Sequence, residues 1–596
     1  MKSNIVALIL LTFVGFAPAQ ERSSSKVEIQ WRAWSSKVFE EAKRDRKFVL
    51  LDLEAVWCHW CHVMAETTYK RPDVIRLIGK NYIAIRVDQD SRPDLANRYE
   101  DYGWPATVIF AADGSELVKR RGYIEPKDMA AVLARVVAHP VPEEAPEPKI
   151  ALAKDPLLIS AAKSDLLKRY ISHYDFQNGS WGMRYKLLDW DGVEFAIERA
   201  RTGDAQAAHM ARQTLDAEMN LVDPVWGGVY QYSVGGNWNE PHFEKIMQMQ
   251  AENLRCYALG YAEWHDPKYL KAVEDIHRFL VTFLLSPEGG FYTSQDADVI
   301  QGKHSAEYFK LNDSERRKRG IPRVDKHLYA RENGWVIRSL AVIYGVSGEQ
   351  KYLDEATTAA NWVIKNRSLP KGGFKHGAAD AAGPYLGDSL AMSQAFIDLY
   401  SVTGDRQWLA KAEAAAKYAT ATFSAHVGYN TAVSVSDPTF HPRPNRDENV
   451  ALARLANRLA HYTGNQQYRG IALHAMSYVA APQIMDDNPA AGTLLADYEL
   501  TTVPTHITVV GHKDAPEARD LFRAGASYAA PYRRLEWWDS REGRLPNPDV
   551  QYPEMKKPAA FICTNGSCSA PIYKATDIHS RADLLNHVKV PTDAGK

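Results

Sequence analysis

The chain has 596 residues, more than one hydrophobic core can hold, so several domains are expected. Its formal net charge of -1 and pI near 7.0 give no electrostatic basis for binding nucleic acid. Five cysteines in so long a chain exclude a small fold held together by disulfides. Four of them form two close pairs, which favours local chemistry or local bridges.

The N-terminus has the pattern of a secretory signal peptide. Lys2 precedes an apolar run over residues 5–16, and Ala17-Pro18-Ala19 offers the small residues that signal peptidase requires. No cysteine follows the run, and no later segment reaches the roughly 18 apolar residues of a membrane span. We therefore expect a signal peptide over residues 1–19, and a periplasmic or secreted protein without a stable membrane anchor.

Residues 20–139 alternate between strand-like and helix-like patterns, which predicts an α/β domain. Asp113-Gly114 marks a hairpin turn between the last two predicted strands. The predicted strands cover residues 48–53, 82–88, 107–110 and 117–120, and a closing helix covers 126–137. Residues 140–158, which begin with a stretch rich in proline and glutamate, are predicted to be a linker.

A pair of cysteines, Cys58 and Cys61, lies between a predicted strand and a predicted helix. Unpaired backbone N–H groups and the dipole at a helix start stabilise a thiolate, so Cys58 is the expected nucleophile and Cys61 the resolving thiol. Asp52, on the incoming strand, is the candidate proton acceptor for Cys61. Pro105, which follows Trp104, suits a cis-proline loop facing the dithiol.

Three other interpretations of this motif stay open. Cys58, Cys61 and His62 also fit the C-x-x-C-H motif that attaches a c-type haem. Two cysteines and a histidine can bind zinc, and the pair can be a purely structural disulfide. Reversible dithiol chemistry is favoured because the motif stands between a strand and a helix, and we expect no cofactor and no metal.

From residue 159 to 498 the sequence becomes helical, and two kinds of loop alternate between the helices. Short loops such as Thr403-Gly404-Asp405 alternate with longer Gly-aromatic loops such as Gly289-Gly290-Phe291. About six such helical hairpins predict a closed (α/α)6 barrel, with short loops at one end and long loops at the other.

The remaining residues, 499–596, are predicted to form a small mixed α/β region. Cys563 and Cys568 enclose Asn565-Gly566, a natural turn, so a local disulfide is expected there. Cys256, on an apolar helical stripe, is expected to be a buried free thiol.

Polar residues follow the long loops of the predicted barrel and stand near the starts of the next helices. If these loops share one end of the ring, the seven residues lie around that end, and we expect at least four of them to line a common pocket. Acid–base groups there suit a sugar, and helix N-termini suit an anionic or hydroxyl-rich ligand. The competing interpretation is that they cap helices or make structural hydrogen bonds. The seven are His242, Glu244, Asp296, Asp298, Asp325, Asn333 and Asp388.

Several strings carry a resemblance to a known family. The string from Leu51 to Cys58, with Trp104-Pro105-Ala106-Thr107 and Gly122, resembles thioredoxin. The fuller string Trp57-Cys58-His59-Trp60-Cys61-His62-Val63-Met64, with Pro241-His242-Phe243-Glu244-Lys245 and Gln295-Asp296-Ala297-Asp298, resembles DUF255-type proteins similar to spermatogenesis-associated protein 20. The resemblance implies a thioredoxin fold joined to a six-hairpin glycosidase-like barrel. The chain departs from the family at Lys186-Leu187-Leu188, where members have Lys-Phe-Pro, and at Ile246-Met247, where they usually have Met-Leu. Family members are also often not exported.

Three functions follow from these patterns. The first is a thiol–disulfide oxidoreductase that acts on protein thiol or disulfide partners through Cys58 and Cys61, with a barrel that binds a carbohydrate-like ligand. The second is a carbohydrate-active enzyme, a hydrolase or an epimerase, with an accessory thioredoxin domain. The third is a binding protein without catalysis.

Overall fold

The computed structural model describes residues 28–144, 150–378, 380, 382–433, 441–485, 490–528, 530–564 and 567–587. The predicted signal peptide lies outside these residues, as do parts of the predicted linker and C-terminal region, and the proposed domain boundaries stay predictions. Within the described part of the chain, no helix combines the length and the apolar character needed to cross a membrane.

The N-terminal domain is built on a four-stranded mixed sheet. Its strands are β1 (Phe48–Glu54), β2 (Tyr82–Asp88), β3 (Ala106–Phe110) and β4 (Glu116–Arg121), and its helices are α1 (Ser36–Asp45), α2 (His59–Glu66), α3 (Pro72–Asn81), α4 (Pro93–Tyr99) and α5 (Pro126–Ala138). The strand order is β2-β1-β3-β4, with β1 parallel to β2 and antiparallel to β3. The central strand β1 is apolar except for Asp52 and the terminal Glu54, because both of its faces are covered. The predicted thioredoxin fold is confirmed.

Helical hairpins form the middle of the molecule. The helices are α6 (Ser160–Ser172), α7 (Trp190–Arg201), α8 (Ala205–Glu218), α9 (Met247–Trp264), α10 (Pro267–Phe279), α11 (Ala306–Phe309), α12 (Asp313–Arg319), α13 (Ala330–Ser347), α14 (Gln350–Arg367), α15 (Leu386–Thr403), α16 (Arg406–Phe423), α17 (Arg446–Thr463), α18 (Gln466–Val479), α19 (Pro482–Met485) and α20 (Ala491–Thr501). Short strands lie in the long loops: β5 (Tyr232–Ser233), β6 (Pro241–His242), β7 (Lys245–Ile246), β8 (Ser294–Gln295) and β9 (Val324–Asp325).

Six of these helices form a closed inner ring. In order around the ring, α7, α9, α13, α15, α17 and α20 each pack against the next, and α20 returns to α7. Five outer helices pack on the ring helices that precede them in the chain, whereas α6, the first helix, covers α20, the last. The predicted (α/α)6 barrel is confirmed, and its sixth hairpin is made by the two ends of the barrel segment.

The C-terminal region is a second small mixed sheet. Its elements are β10 (Thr505–Val510), α21 (Pro516–Ala526), β11 (Arg533–Trp538), β12 (Ala559–Thr564), β13 (Ser567–Cys568) and α22 (Ile578–His587). The strand order is β11-β10-β12-β13, with β10 parallel to β11 and antiparallel to β12. This is the strand order and direction of the N-terminal sheet, a correspondence that the predicted "mixed α/β" class did not contain.

The two sheets cover opposite ends of the barrel. Gly348, Gly404 and Gly464 end inner helices in the left-handed conformation, as short-loop glycines should. A Cβ atom on Gly404 would lie 3.0 Å from the Cβ of Trp537 in β11, so the C-terminal region packs closely on the short-loop end. The long loops meet the N-terminal domain, and the barrel is therefore closed at both ends.

Candidate functional site

The cysteine pair lies at the junction between strand β1 and helix α2. Cys58 caps the N-terminus of α2, and its Sγ accepts a hydrogen bond from the backbone N–H of Cys61 at 3.1 Å. The two cysteines form a disulfide with a Cα–Cα distance of 5.3 Å. Each is only 3 % exposed, because residues of the barrel and of the N-terminal domain cover the pair.

Proline and tryptophan complete the surroundings of the disulfide. The Trp104–Pro105 peptide bond is cis, as the sequence predicts. The side chain of Trp104 packs against the cluster that contains Cys58 and Cys61, and Ile246 of the barrel packs against the same cluster. A residue of the barrel thus covers part of the surface around the disulfide.

Asp52 is buried in the middle of β1, paired in register with Thr107 of β3. Burial raises the pKa of Asp52, and the charge of Arg86 opposes that rise. Arg86 Nε donates a hydrogen bond to Asp52 Oδ2 at 2.9 Å, and Arg86 Nη2 forms an ion pair with the same oxygen at 2.8 Å. Burial and the nearby carboxylate of Asp52 raise the pKa of Glu54, at the end of β1, to about 7. The predicted role of Asp52 as proton acceptor for Cys61 stays a prediction.

A polar latch, formed by His59 and His62 of α2 with Asp298 of the barrel, holds helix α2 on the barrel. His59 Nδ1 lies 2.7 Å from Asp298 Oδ1, and His62 Nδ1 lies 3.0 Å from Asp298 Oδ2. Burial lowers the pKa of His62, but its hydrogen bond to Asp298 and the charges of Asp296 and Asp298 outweigh burial, so the pKa is raised. Burial raises the pKa of Asp298, but its hydrogen bonds to His59 and His62 outweigh burial, so the pKa is lowered.

Glu244 reaches the same helix from the barrel. Its Oε1 accepts a hydrogen bond from the backbone N–H of His59, the first residue of α2, at 3.4 Å, and its Oε2 has no partner. Burial raises the pKa of Glu244 to about 7. A barrel carboxyl and the sulfur of Cys58 therefore both accept N–H groups from the first turn of α2.

His62, Asp296 and Asp298 have the donor types of a cation site. Their ligand atoms lie within 4.8 Å of one another, the one such group among the described residues. The carboxylates are already engaged: Asp298 bonds both histidines, and Asp296 accepts from the N–H of Asp298 and from Gln301. A bound cation would have to replace these hydrogen bonds, so hydrogen bonding alone accounts for the cluster.

The other predicted barrel residues are used in separate places. His242 stacks on Tyr232 with a centroid distance of 4.4 Å, and burial lowers its pKa to about 4. Asp325 contacts His327 at 2.6 Å, and Asp388 contacts His376 at 2.8 Å. Asn333 makes hydrogen bonds to the backbone N–H and carbonyl of Phe291, which is the structural role that the competing interpretation foresaw.

A cavity of about 420 Å³ fills the inside of the ring beneath the N-terminal domain. None of the seven predicted barrel residues lines it, so this cavity is not the pocket on which they were predicted to converge. The physical reason is that Glu244, Asp296 and Asp298 are used to hold helix α2, while Asn333 and Asp388 brace loops. The docking of the N-terminal domain on the barrel uses the same polar residue types as a ligand site. It therefore accounts for part of the pattern of polar residues that follow the long loops.

Both domains contribute to the wall of this cavity. Trp57 and Trp104 come from beside the disulfide, whereas Trp190 and Trp335 come from inner helices. Acidic side chains in the first turns of inner helices complete it: Asp191 on α7, Glu332 on α13 and Glu448 on α17. The signal in the sequence is an acidic residue one or two positions inside each of the helices α7, α13 and α17.

Comparisons with known proteins agree with the resemblance stated above. Residues 20–138 match a thioredoxin-like family model described as "Protein of unknown function, DUF255". An uncharacterised protein of Caenorhabditis elegans is 25 % identical over 312 residues, covering 47 % of this chain and 42 % of that protein. Human spermatogenesis-associated protein 20 is 24 % identical over 307 residues, covering 45 % and 39 %. The matched region thus spans about two fifths of these relatives.

Shorter and structural matches concern single domains. Thiol:disulfide interchange protein DsbD 2 of Pseudomonas aeruginosa is 31 % identical over 83 residues, covering 13 % of this chain and 14 % of that protein. Cellobiose 2-epimerase from Spirochaeta thermophila covers 57 % of this chain and 95 % of its own, with 10 % identity and a TM-score of 0.45. A sugar epimerase from a ruminal bacterium covers 53 % and 83 %, with 13 % identity and a TM-score of 0.42.

Proposed function

We propose that this protein is a thiol–disulfide oxidoreductase that cycles Cys58 and Cys61 between disulfide and dithiol. The observation that carries the proposal is the hydrogen bond from the Cys61 N–H to Cys58 Sγ at the start of α2. In the reduced protein this N–H group and the helix dipole stabilise a thiolate at Cys58. The matched segment of a relative named as a thiol:disulfide interchange protein supports the same chemistry.

The reaction proceeds by two exchanges. The Cys58 thiolate attacks one sulfur of a partner disulfide, and the other partner sulfur leaves as a thiolate. Cys61, deprotonated with Asp52 as proton acceptor, then attacks Cys58 in the mixed disulfide. The Cys58–Cys61 bond re-forms, the second partner sulfur leaves, and two electrons have passed from the dithiol to the partner. Pro105 faces the partner backbone in this scheme.

Access to the dithiol depends on the barrel. Cys58 and Cys61 are each 3 % exposed, so a protein partner reaches them only after helix α2 separates from the barrel. The contacts to be broken are those of His59 and His62 with Asp298, and of the His59 N–H with Glu244. In this proposal the barrel regulates the redox reaction by covering its active site.

A redox titration of the full-length protein tests the proposal. Cys58 and Cys61 should interconvert as a two-electron couple in dithiothreitol buffers, followed by a thiol-specific mass label. Cys61→Ser should trap mixed disulfides with protein partners, whereas Cys58→Ser should trap none. A pair that stays oxidised under all conditions that leave the protein folded would make the disulfide purely structural.

We propose export to the periplasm or secretion on the basis of the apolar run over residues 5–16 and the Ala17-Pro18-Ala19 string. The mature N-terminus, measured by mass spectrometry on protein recovered from the native cell, should lie near Gln20. An intact Met1 on cytoplasmic protein would contradict this assignment.

A second candidate function is binding of a carbohydrate-like ligand in the barrel. It is favoured by the central cavity, whose wall combines four tryptophans with buried carboxylates. Aromatic faces and carboxylate acceptors are the groups that hold sugars. A thermal-shift screen with neutral, acidic and amino sugars tests it.

A further inference from the structure

The central cavity holds more acidic than basic side chains. Seven carboxyl groups and four guanidinium groups line it, and no lysine or histidine does so among the described residues. The cavity lies inside the ring, away from bulk water, so this imbalance is felt by any ligand that enters.

Its basic groups are already neutralised. Each of the four arginines forms an ion pair with a carboxylate in the barrel interior, so an anionic ligand would have to displace a buried pair. The pairs are Arg255–Glu194 at 2.7 Å, Arg331–Glu332 at 2.7 Å, Arg338–Asp398 at 3.2 Å and Arg454–Glu499 at 2.7 Å.

Two carboxyl groups in the wall each have one oxygen without a hydrogen-bond partner. Glu332 is 2 % exposed, and while its Oε1 accepts from Arg331, its Oε2 has no hydrogen-bond partner. Glu448 Oε2 is likewise without a partner. A buried carboxylate oxygen without a donor is costly, and a ligand that brings an N–H or O–H group removes that cost.

The backbone brings these groups together. A Cβ atom on Gly387 would lie 2.9 Å from Glu448 Oε1 and 3.1 Å from Arg331 Cδ, so both side chains pass close to the backbone of α15 at this glycine. Burial raises the pKa of Glu448 to about 8 and that of Asp191 to about 7. These two carboxyl groups therefore hold their protons more tightly than usual, and a cationic ligand can neutralise their charge in place of the proton.

Aromatic faces complete the recognition surface. Trp57, Trp104, Trp190 and Trp335 line the cavity. The guanidinium carbon of Arg331 lies over the ring of Trp335, 4.8 Å from the centroid of that ring. Indole faces attract both C–H groups and cations. The volume of about 420 Å³ lies within the range of about 300–1,000 Å³ usual for small-molecule sites.

We propose that the central cavity binds a hydroxyl-rich amine in its cationic form, an amino sugar being the class that fits. The inference rests on the second candidate function and narrows it to one ligand charge. A neighbouring cavity of about 530 Å³ shares Trp190, Asp191 and Asp447 with the central one.

Calorimetric titration of the oxidised full-length protein tests the charge. The probes are glucosamine, glucose and glucuronate, with galactosamine, galactose and galacturonate as a second matched set. At least one amino sugar should bind about tenfold or more tightly than its neutral counterpart, because a hydrogen bond between charged groups contributes more than a neutral one. The uronates should not bind.

Variants locate the effect. Glu332→Gln and Glu448→Gln should each reduce the preference for amine over neutral sugar toward unity. Glu218→Gln is the matched control, since Glu218 is 1 % exposed, has an unpartnered Oε2 and does not line the cavity. The control should keep the preference. Circular dichroism and the unfolding temperature of each variant establish that it is folded.

Three results would overturn the proposal. Equal affinity for amine and neutral sugars removes the charge preference but leaves the carbohydrate site standing. Tighter binding of a uronate reverses the proposed charge. Binding of no sugar in the panel removes both the proposal and the second candidate function, and leaves the redox function untouched because that is measured separately by titration of Cys58 and Cys61.

Discussion

The two ends of the barrel are covered by sheets of the same strand order and direction, yet only the N-terminal one has a cysteine pair where its first strand leads into a helix. After β1 the N-terminal domain has Cys58 at the start of α2. After β10 the C-terminal region has Gly511 and His512, and the next helix, α21, begins at Pro516. The fold is shared, and the chemistry depends on which residues stand at one strand–helix junction.

The disulfides differ accordingly. Cys58–Cys61 lies at a helix N-terminus under the barrel, whereas Cys563–Cys568 joins the antiparallel strands β12 and β13. Among the described residues, no helix begins beside the second bridge, which lies between two strands. We expect the first to be redox-active and the second to be a clasp.

The largest predicted effect separates the two bridges. Cys58→Ser should lower disulfide-exchange activity by about 100-fold or more, because the nucleophile is lost. Cys563→Ser should leave the rate within about twofold of the wild type. The measurement is dithiothreitol-driven reduction of a protein disulfide. Equal losses in the two variants would contradict the comparison.

The next effect concerns docking. Asp298→Asn weakens two hydrogen bonds to histidines, each contributing about 1.5–3 kcal/mol when charged. Helix α2 should then separate from the barrel more often, and a soluble phosphine should reduce Cys58–Cys61 about 10- to 100-fold faster. Asp549→Asn, which breaks the 2.6 Å contact with Arg534 in the C-terminal region, is the control and should leave this rate unchanged. An unchanged rate in Asp298→Asn would show that the latch does not protect the disulfide.

A third effect is a pH dependence at the N-terminal end. The pKa of Glu244 is raised from 4.5 to about 7, so the stability that its neutral form supports is complete below pH 4.5 and is lost as the pH rises through about 7. The loss is about 3 kcal/mol. Glu244→Gln should therefore unfold at a higher temperature than the wild type at pH 8, with little difference at pH 4.5. Equal pH profiles would contradict the assignment.

The smallest effect concerns the C-terminal clasp. Replacing Cys563 and Cys568 together by alanine should cost about 2 kcal/mol of unfolding free energy, because the bridge closes a short loop. Denaturant unfolding monitored by hydrogen exchange at the backbone amides of β10 and β12 measures this loss of unfolding free energy in the C-terminal sheet. A global loss of barrel stability would show that the clasp does more than hold one hairpin.

The sequence predicted what is encoded locally. The cysteine motif between strand and helix, the cis Trp104–Pro105 bond and the six hairpins follow from short strings or from helical periodicity, and all appear in the structure. Roles in catalysis for Asp52, Pro105 and the cysteines stay predictions, since geometry alone does not test them.

What the sequence could not supply was the docking of distant segments. His59 and Asp298 are 239 residues apart, and no local pattern says that they meet. A carboxylate at a helix start has the same sequence signal whether it caps, binds a ligand or holds another domain. The seven barrel residues were therefore assigned to one pocket, while the groups that line the cavity, such as Glu332 and Asp191, were overlooked.

The pairing of α6 with α20 sets an order in time. A ring whose last helix must meet its first is incomplete until almost the whole barrel segment has been synthesised, whereas the N-terminal domain can fold as soon as it emerges. During that interval helix α2 has no complete barrel to pack on, so Cys58 and Cys61 lack the part of their cover that Ile246 supplies. Oxidants and reductants therefore have easier access to the pair in the nascent chain than in the finished protein.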